Sequence, residues 1–551
     1  MIGVAASAAD LDVAAEFFEL FKTPWEPLVE GRRYRVAVST DDRFDDIDAD
    51  VVLSYGSIEN GVDRWCRVGV FETQAGMATW NDQRLPFYGG LATFGANGRA
   101  ALHSAGRAVD YAATVRGRRV RRIGYDLFGE VRHLLTEGQP ATHALTPTLD
   151  VHIELLRQIL IESGVSFVEI PPRPEKADFI CCLTHDIDFF GIRRHGLDRT
   201  MAGFLIRGSI GSLLDVIGGR RTLAEAVDNW LAVCTLPLVF LGLRQDPWNP
   251  FEDYARIEAT NRSTFFLLPF KGRPGVAPDG TINAARAVRY QASDVGPAAM
   301  RMAAGGSELA VHGIDAWRDR DAGRLELSQL TALTGGRTAG TRMHWLYFDR
   351  SSPRELEAAG FDYDSTCGYN DAVGYRAGTS QVFRWPGTQH LMELPLSIMD
   401  SALFYSDRMG LTREEAARQC HAIIVNARRY GGTVTINWHD RSLAPERQWG
   451  RSYRQLLDEI SQERVWYATA GQAVEWFRWR RSIRFSVDAA DACVTIQAPA
   501  MPLGTDGPGA IVRVQRPGDG IDDRVTETRF DGHQAVRLDV GQGVSSGETS
   551  R

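Results

Sequence analysis

From residue 179 onward the sequence alternates short apolar runs with amphipathic ones, and that alternation leaves few folds open. FICCLTHD (179–186), RSTFFLLPF (262–270), SELAVHGI (307–314), GTRMHWLYF (340–348), LMELPLSI (391–398) and GTVTINWHD (432–440) read as strands. SPRELEAAG (352–360) and TREEAARQCHAIIVNARRYG (412–431), between them, have helical periodicity. A strand–helix repeat of this length predicts an α/β fold: parallel strands with helices over their faces, in a (β/α) barrel, complete or distorted. Chemistry in such folds collects at the C-terminal ends of the strands. Asp186, Asp188, His312, His344 and His439 all stand at or near those ends.

The stretch THDID (184–188) sets two carboxylates two residues apart at a strand end, so both face one side of the sheet. Like charges so placed repel unless a proton or cation lies between them. A divalent metal resolves this if one carboxylate ligates and the other acts as general base. A solvated acidic exit from a strand is the plain alternative for a lone D-x-D. Three further strand ends carry His312, the same-facing pair Arg342 and His344, and His439 with Asp440. Imidazoles with a carboxylate form a donor set suited to Zn²⁺. An arginine beside a carboxylate orients it and lowers its pKa, and a remaining histidine can serve as general acid.

At these residues the chain resembles the polysaccharide deacetylase family (NodB-homology, carbohydrate esterase type 4), over about residues 120–445. The resemblance implies a distorted (β/α) barrel and one divalent metal, Zn²⁺ for preference, that together hydrolyse acetyl groups on sugars. THDID is similar to the family's first motif, which makes Asp186 the base and Asp188 a metal ligand. VHGIDAW is similar to the second, giving His312 as a ligand. TRMHWLYF resembles the third, whose arginine positions the base, here Arg342. INWHD resembles the last, whose histidine protonates the leaving group, here His439, with Asp440 expected to fix its tautomer. Trp345, Tyr369, Tyr375, Trp385 and Trp438 are candidates for stacking on sugar rings, with a packing role as the alternative; Arg376 is a candidate for a substrate carboxylate or phosphate, with pairing to a nearby acid such as Asp371 as its alternative. One departure stands out: the second motif is usually H-x-x-x-H, and this chain has Ala316 in the last place. GFDYDSTCGYNDAVGYRAGTSQVFRWP (360–386) and LPLSIMDSAL (394–403) resemble a subgroup with an α/β N-terminal domain. Asp315 and His344 are the substitutes, and His344 is preferred because R-x-H-[YW]-L is similar to that subgroup's pattern.

At 551 residues the chain exceeds one hydrophobic core. Three parts are expected: an N-terminal α/β domain (1–170), the barrel (171–481) entered through the proline-rich EIPPRPEKAD (169–178), and a small β-rich part (482–551) with a disordered tail. The N-terminal part shows strands at 34–39 and 51–55 and helices at 124–138 and 146–164, and no phosphate-binding glycine motif follows its strands. A formal net charge of −8 argues against a nucleic-acid binder. Seven cysteines without a CxxC pair fit a reducing compartment. The N-terminal stretch reads as a helix and not as a secretory signal.

The expected function is a metal-dependent sugar deacetylase, hydrolysing non-peptide C–N bonds in surface-polysaccharide or glycan biosynthesis. Two alternatives stay open: a glycan-binding relative that has lost catalysis, and a metal hydrolase of a non-sugar amide. A cytoplasmic location at the inner membrane face is expected, with an acetylated glycan intermediate as partner and segment 201–243 either covering the barrel or touching lipid. The oligomeric state is left open.

Overall fold

The structure is a computed structural model of residues 1–551, described here apart from 75, 96–99, 197, 219–220, 250, 259–261, 337–339, 489–492, 504–506, 518–524, 531 and 539–551. The expected disordered tail lies outside the described residues. The chain divides into two compact units. One comprises 1–137, 148–175 and 475–551; the other comprises 138–147 and 176–474. The C-terminal β segment therefore belongs to the same unit as the N-terminal residues.

In the first unit a six-stranded sheet runs in the order Asp110–Val115, Arg118–Ile123, Ala49–Tyr55, Tyr34–Ser39, Ile2–Ala5, Trp25–Pro27. Its strands are parallel except for the Asp110–Val115 edge. The expected N-terminal helix starts late: Ile2–Ala5 is a buried strand, and Ser7 caps the helix Ala8–Phe21 by accepting from the Asp10 amide. A second sheet, antiparallel, is built from short strands between Val70 and Ala108 that carry no strong alternation. Ala510–Gln515 pairs antiparallel with Phe167–Glu169, which joins sequence ends more than 340 residues apart.

Glu169 holds that junction. It is fully buried and accepts from Arg157 Nε (3.0 Å), Arg513 Nη1 (3.2 Å) and Gln515 Nε2 (3.1 Å). Burial opposes its charge, but the two arginines outweigh burial and hold the carboxyl down at about 2.

The second unit carries a ten-stranded sheet. Its path is Phe383–Arg384, Met392–Glu393, Tyr363–Asp364, Gly340–Met343, Glu308–Gly313, Ser263–Leu267, Phe179–Ile187, Thr433–Asn437, Ile398–Met399, with Val465–Tyr467 also on Phe179–Ile187. Every pairing is parallel but the one between Phe383–Arg384 and Met392–Glu393. The ladder is open-ended among the described residues, so the expected barrel is realised as a curled, parallel half-barrel. Helices Ala292–Ala304, Arg320–Thr334, Ser352–Ala359 and Arg413–Tyr430 connect its strands. All nine residues of Phe179–Ile187 are buried, as a central parallel strand covered on both faces requires.

Register brings the strand ends together. Asp186 lies opposite Phe266, Phe266 opposite Ala310, His312 opposite Arg342, and Thr184 opposite Asn437. The polar residues that end these strands are thereby gathered at one edge of the sheet.

Glu169→Gln is expected to lower stability near pH 7 by about 3 kcal/mol, the usual cost of breaking a buried pair. The sign follows from the depressed carboxyl: its contribution is complete above the unfolded value and is lost as pH falls from about 4.5 toward 2. Denaturant melts between pH 7 and pH 2 should show the variant losing less stability than wild type over that interval.

Candidate metal centre

Thr184, Asp186 and Asp188 face one side of their strand, and His185 faces the other. His185 is fully buried, with Nδ1 at 2.9 Å from the Trp438 carbonyl, Nε2 at 3.1 Å from Glu258 Oε1 and its ring against Tyr254; its role is structural.

Arg342 is the fixed point of the other side. Its Nη1 donates to Asp186 Oδ1 (3.0 Å) and Thr184 Oγ1 (2.8 Å), its Nε to the Ser365 carbonyl (3.0 Å) and its Nη2 to Ser365 Oγ (2.9 Å). Asn437 Nδ2 donates to the second Asp186 oxygen (2.7 Å). Both carboxylate oxygens of Asp186 are thus engaged. Burial alone would raise this carboxyl, but the charges of His312, Arg342 and His439 keep it below the usual range.

Asp188, His312 and His344 place their donor atoms within 4.8 Å of one another. His312 Nε2 is 3.3 Å and His344 Nε2 3.5 Å from Asp188 Oδ1. Two donors on a tetrahedral Zn²⁺, each bonded at about 2.0–2.2 Å, lie about 3.4 Å apart, so the separations fit such an ion. Three further features agree. The Asp188 Oδ1 atom is buried without a hydrogen-bond donor. His312 Nδ1 lies 2.9 Å from the Arg342 carbonyl, which fixes the proton there and leaves the Nε2 lone pair free. Burial pushes the His344 ring down to about 3 and so keeps it neutral, as a ligand must be. The donor set fits a divalent metal.

Ala316 takes no part in this. It is fully buried, and its Cβ lies 3.3 Å from where a Cβ on Gly323 would stand, so the position packs against the helix Arg320–Thr334. Asp315 is also directed elsewhere: its Oδ1 accepts from the Val276 amide (3.0 Å) and Arg318 Nε (2.9 Å). The third member of the candidate donor set, His344, directly follows the next strand, Gly340–Met343. His344 opens a single turn in which Trp345 takes φ 65°, a left-handed conformation unusual for a bulky residue.

His439 stands across the cleft, with Nε2 4.0 Å from both Asp186 Oδ2 and Asp188 Oδ2. Its Nδ1 is 2.5 Å from Asp400 Oδ1, and its amide donates to Asp400 Oδ2 (2.7 Å). Burial disfavours the imidazolium, yet Asp400, with Asp188 and Asp186 behind it, pushes the ring up to about 10. The sequence expectation that Asp440 orients His439 is corrected here. After His439 the chain turns into Asp440–Leu443, and the Asp440 carboxylate accepts from the Phe189 amide (2.6 Å) instead. Burial and the charge of Asp188 push Asp440 up to about 7.

Asp400 and Asn437 were not singled out from the sequence. Both stand at strand ends, Asp400 directly after Ile398–Met399 and Asn437 closing Thr433–Asn437, so the strand-end rule applied to every strand would have found them.

The cleft over these groups has a volume of about 270 Å³. Trp345 lines it, but Trp438, Tyr369, Tyr375, Arg376 and Trp385 are not among its lining residues. Trp438 is buried and stacked on Tyr453 at 5.0 Å. The Tyr369 and Tyr375 hydroxyls donate to the carbonyls of Gln139 (2.7 Å) and Ile423 (3.2 Å). Trp385 Nε1 donates to Glu393 (3.0 Å), and the exposed Arg376 donates to the Gly368 carbonyl (3.1 Å), not to Asp371. Tyr405, Arg408, Arg447 and Trp449 line the cleft in their place.

No family model matches the chain, and no curated protein matches it. Solved structures do. One, named as a polysaccharide deacetylase of Mycobacterium smegmatis, is 19% identical over 56% of this chain and 95% of that chain, with a TM-score of 0.33. Another, named as a polysaccharide deacetylase of Pseudomonas aeruginosa PAO1, is 18% identical over 56% of this chain and 94% of that chain, with a TM-score of 0.35. The carbohydrate deacetylase Agd3 is 9% identical over 98% of this chain and 99% of that chain, with a TM-score of 0.37. These structural neighbours are deacetylases. At such identities and TM-scores, residue roles in this chain rest on its own geometry.

Asp400→Asn is expected to lower the pKa of His439, since the variant removes the nearest anion while burial remains. In metal-free wild type, an NMR titration should find the ring protonated up to about pH 10. In the variant the transition should fall toward or below the ordinary histidine value of about 6.5.

Proposed function

We propose that this chain is a metal-dependent deacetylase that removes an acetyl group, N-linked for preference, from a sugar in glycan or surface-polysaccharide biosynthesis. The observation that carries the reading is the Asp188–His312–His344 donor set beside an anchored carboxylate and a third, cationic histidine. Asp188, His312 and His344 would hold one divalent ion, Zn²⁺ for preference. When bound, the ion would supply Lewis acidity toward water and toward an acetyl carbonyl.

The chain's own residues divide the remaining work. Asp186, kept ionised and oriented by Arg342 and Asn437, accepts a proton from the attacking water. His439 carries its first proton at Nδ1 against Asp400, so its Nε2–H points into the cleft and is donated to the leaving amine. Asp400 keeps that tautomer and stabilises the imidazolium before transfer. Trp345, more than a third exposed on the cleft wall, offers a face for a sugar ring.

The test is metal content by elemental analysis together with acetate release from N-acetylated sugars. Wild type should hold close to one equivalent of Zn²⁺, and His344→Ala or Asp188→Ala should lose it. Asp186→Asn and His439→Ala should keep the metal and lose roughly 10²–10⁴-fold in rate. Wild type that takes up no metal even after soaking in Zn²⁺ would overturn the reading and leave a glycan-binding protein in its place.

A further inference from the structure

Three guanidinium groups, Arg408, Arg441 and Arg447, line the same cleft as the metal-ligand triad. Arg408 and Arg447 lie over one Tyr405 ring at 5.3 and 4.7 Å, and Arg447 is also 5.0 Å from the Trp449 ring. Arg408 Nη1 donates to Ser401 Oγ (3.0 Å). Among the described residues neither Arg408 nor Arg447 has an ion-pair partner. Arg441 is 6% exposed and stacked on Trp248 at 4.2 Å; its Nη2 is 3.2 Å from Glu446 Oε1, and its Nε has no acceptor.

Asp186, Asp188, Asp407 and Asp440 line the same cleft; Asp186 is paired with Arg342, and among the described residues none of the four pairs with Arg408 or Arg447. Glu446 is already engaged by Arg441 and by Trp248 Nε1 (3.1 Å), and Asp407 is exposed at the rim. Arg207 adds a fourth guanidinium nearby: burial, then Arg441 and Arg447, push its pKa down. Guanidiniums left to repel one another at a cleft wall are costly without an anion.

We propose that Arg408, Arg441 and Arg447 form a subsite for a phosphate or diphosphate ester, so that the acetylated sugar is bound as a sugar phosphate. One carboxylate is satisfied by a single two-pronged arginine, whereas phosphate oxygens accept from several guanidiniums at once. The sugar rests on the deacetylase reading above; the anion subsite does not.

The test is calorimetric titration of metal-free protein with pyrophosphate, beside Asp188→Ala, so that metal plays no part. Binding is expected in both. It should weaken about tenfold or more in Arg408→Gln and Arg447→Gln, the loss of one charge-assisted pair, recover in part in Arg447→Lys, and stay unchanged in Arg256→Gln, which lines no part of this cleft. Thermal melts confirm that each variant is folded. Absence of binding at millimolar pyrophosphate, or equal affinity across the arginine variants, overturns the subsite, whatever the metal and activity assays find. Farnesyl diphosphate as a second probe separates the sources: tighter binding than pyrophosphate assigns a lipid-borne phosphate, and equal binding a free sugar phosphate.

A separate observation concerns the insertion between Asp188 and Ser263. It holds the helices Arg199–Ile206, Ser212–Ile217, Leu223–Cys234 and Leu236–Phe240, with a π-helical turn at Arg207–Gly211. Ile206, Ile210, Ile217, Leu223, Leu241 and Leu243 are 60–75% exposed. Thr200–Ile217 is apolar and long enough to cross a membrane, yet only 22% of it is buried. The insertion (189–262) carries nine arginines against eight acidic residues; Arg193 lies 3.8 Å from Asp246, and Arg244, next to Leu243, is exposed with no ion-pair partner among the described residues. The Arg193 guanidinium lies against Gly242, between the two exposed leucines of the tip.

Aliphatic side chains beside arginines suit the boundary of an anionic bilayer, and we infer that this insertion docks the catalytic unit onto one. Co-sedimentation should show binding to phosphatidylcholine–phosphatidylglycerol vesicles, weaker binding to phosphatidylcholine alone, and a loss of about tenfold in the double variant Leu241→Ser, Leu243→Ser. Protein that stays in the supernatant with both vesicles overturns the inference. So does a dimer in gel filtration that the double variant converts to monomer, because the face would then be covered by a second copy.

Discussion

The buried contact between Arg342 and Asp186 is the constraint on which the site is built. Arg342 is fully buried and Asp186 nearly so, and neither charge could stay there alone. The guanidinium is satisfied by Asp186, Thr184 and Ser365 and lies 4.3 Å from the Phe266 ring. Those partners come from two strands and the segment after a third. A shift of any one strand would leave a buried charge uncompensated, so the pair fixes register where the ligands must converge.

Given that register, the candidate metal centre follows from strand geometry. Parallel neighbours end at one edge, and a period of two sends Asp186 with Asp188, and Arg342 with His344, to the same side. The arrangement leaves Asp188 Oδ1 without a donor and the His312 Nε2 lone pair free, two unmet demands that a single cation satisfies together. His439 is the opposite case. Its Nδ1 is held by Asp400, while the other two histidines face Asp188.

The insertion and the arginine cluster give the site a direction. The insertion leaves the sheet directly after the metal-ligand strand, so its exposed apolar side chains belong to the unit that carries the cleft. The arginines of the cleft wall and the apolar surface of the insertion thus lie in one unit.

Much of this was legible because period-two patterning and strand-end position are local. The strand–helix alternation, the facing of Asp186 and Asp188, and His344 as a candidate donor beside Asp188 and His312 could be read along the chain. The same period also explains an error: if Asn437 and His439 face the cleft, Trp438 between them must face away, and it packs on Tyr453. Other features had no local signal. Asp400 reaches His439 from 39 residues away, across the pairing of Ile398–Met399 with Thr433–Asn437, while its sequence neighbour Asp440 is turned aside. Ala510–Gln515 pairs with Phe167–Glu169 through a contact that depends on two distant strands meeting. The sequence by itself determined which residue types stand at the strand ends and which side of the sheet they face, because backbone geometry sets both. Only the tertiary structure decided which of them meet, because that depends on strand order and on how buried charges across the sheet are paired.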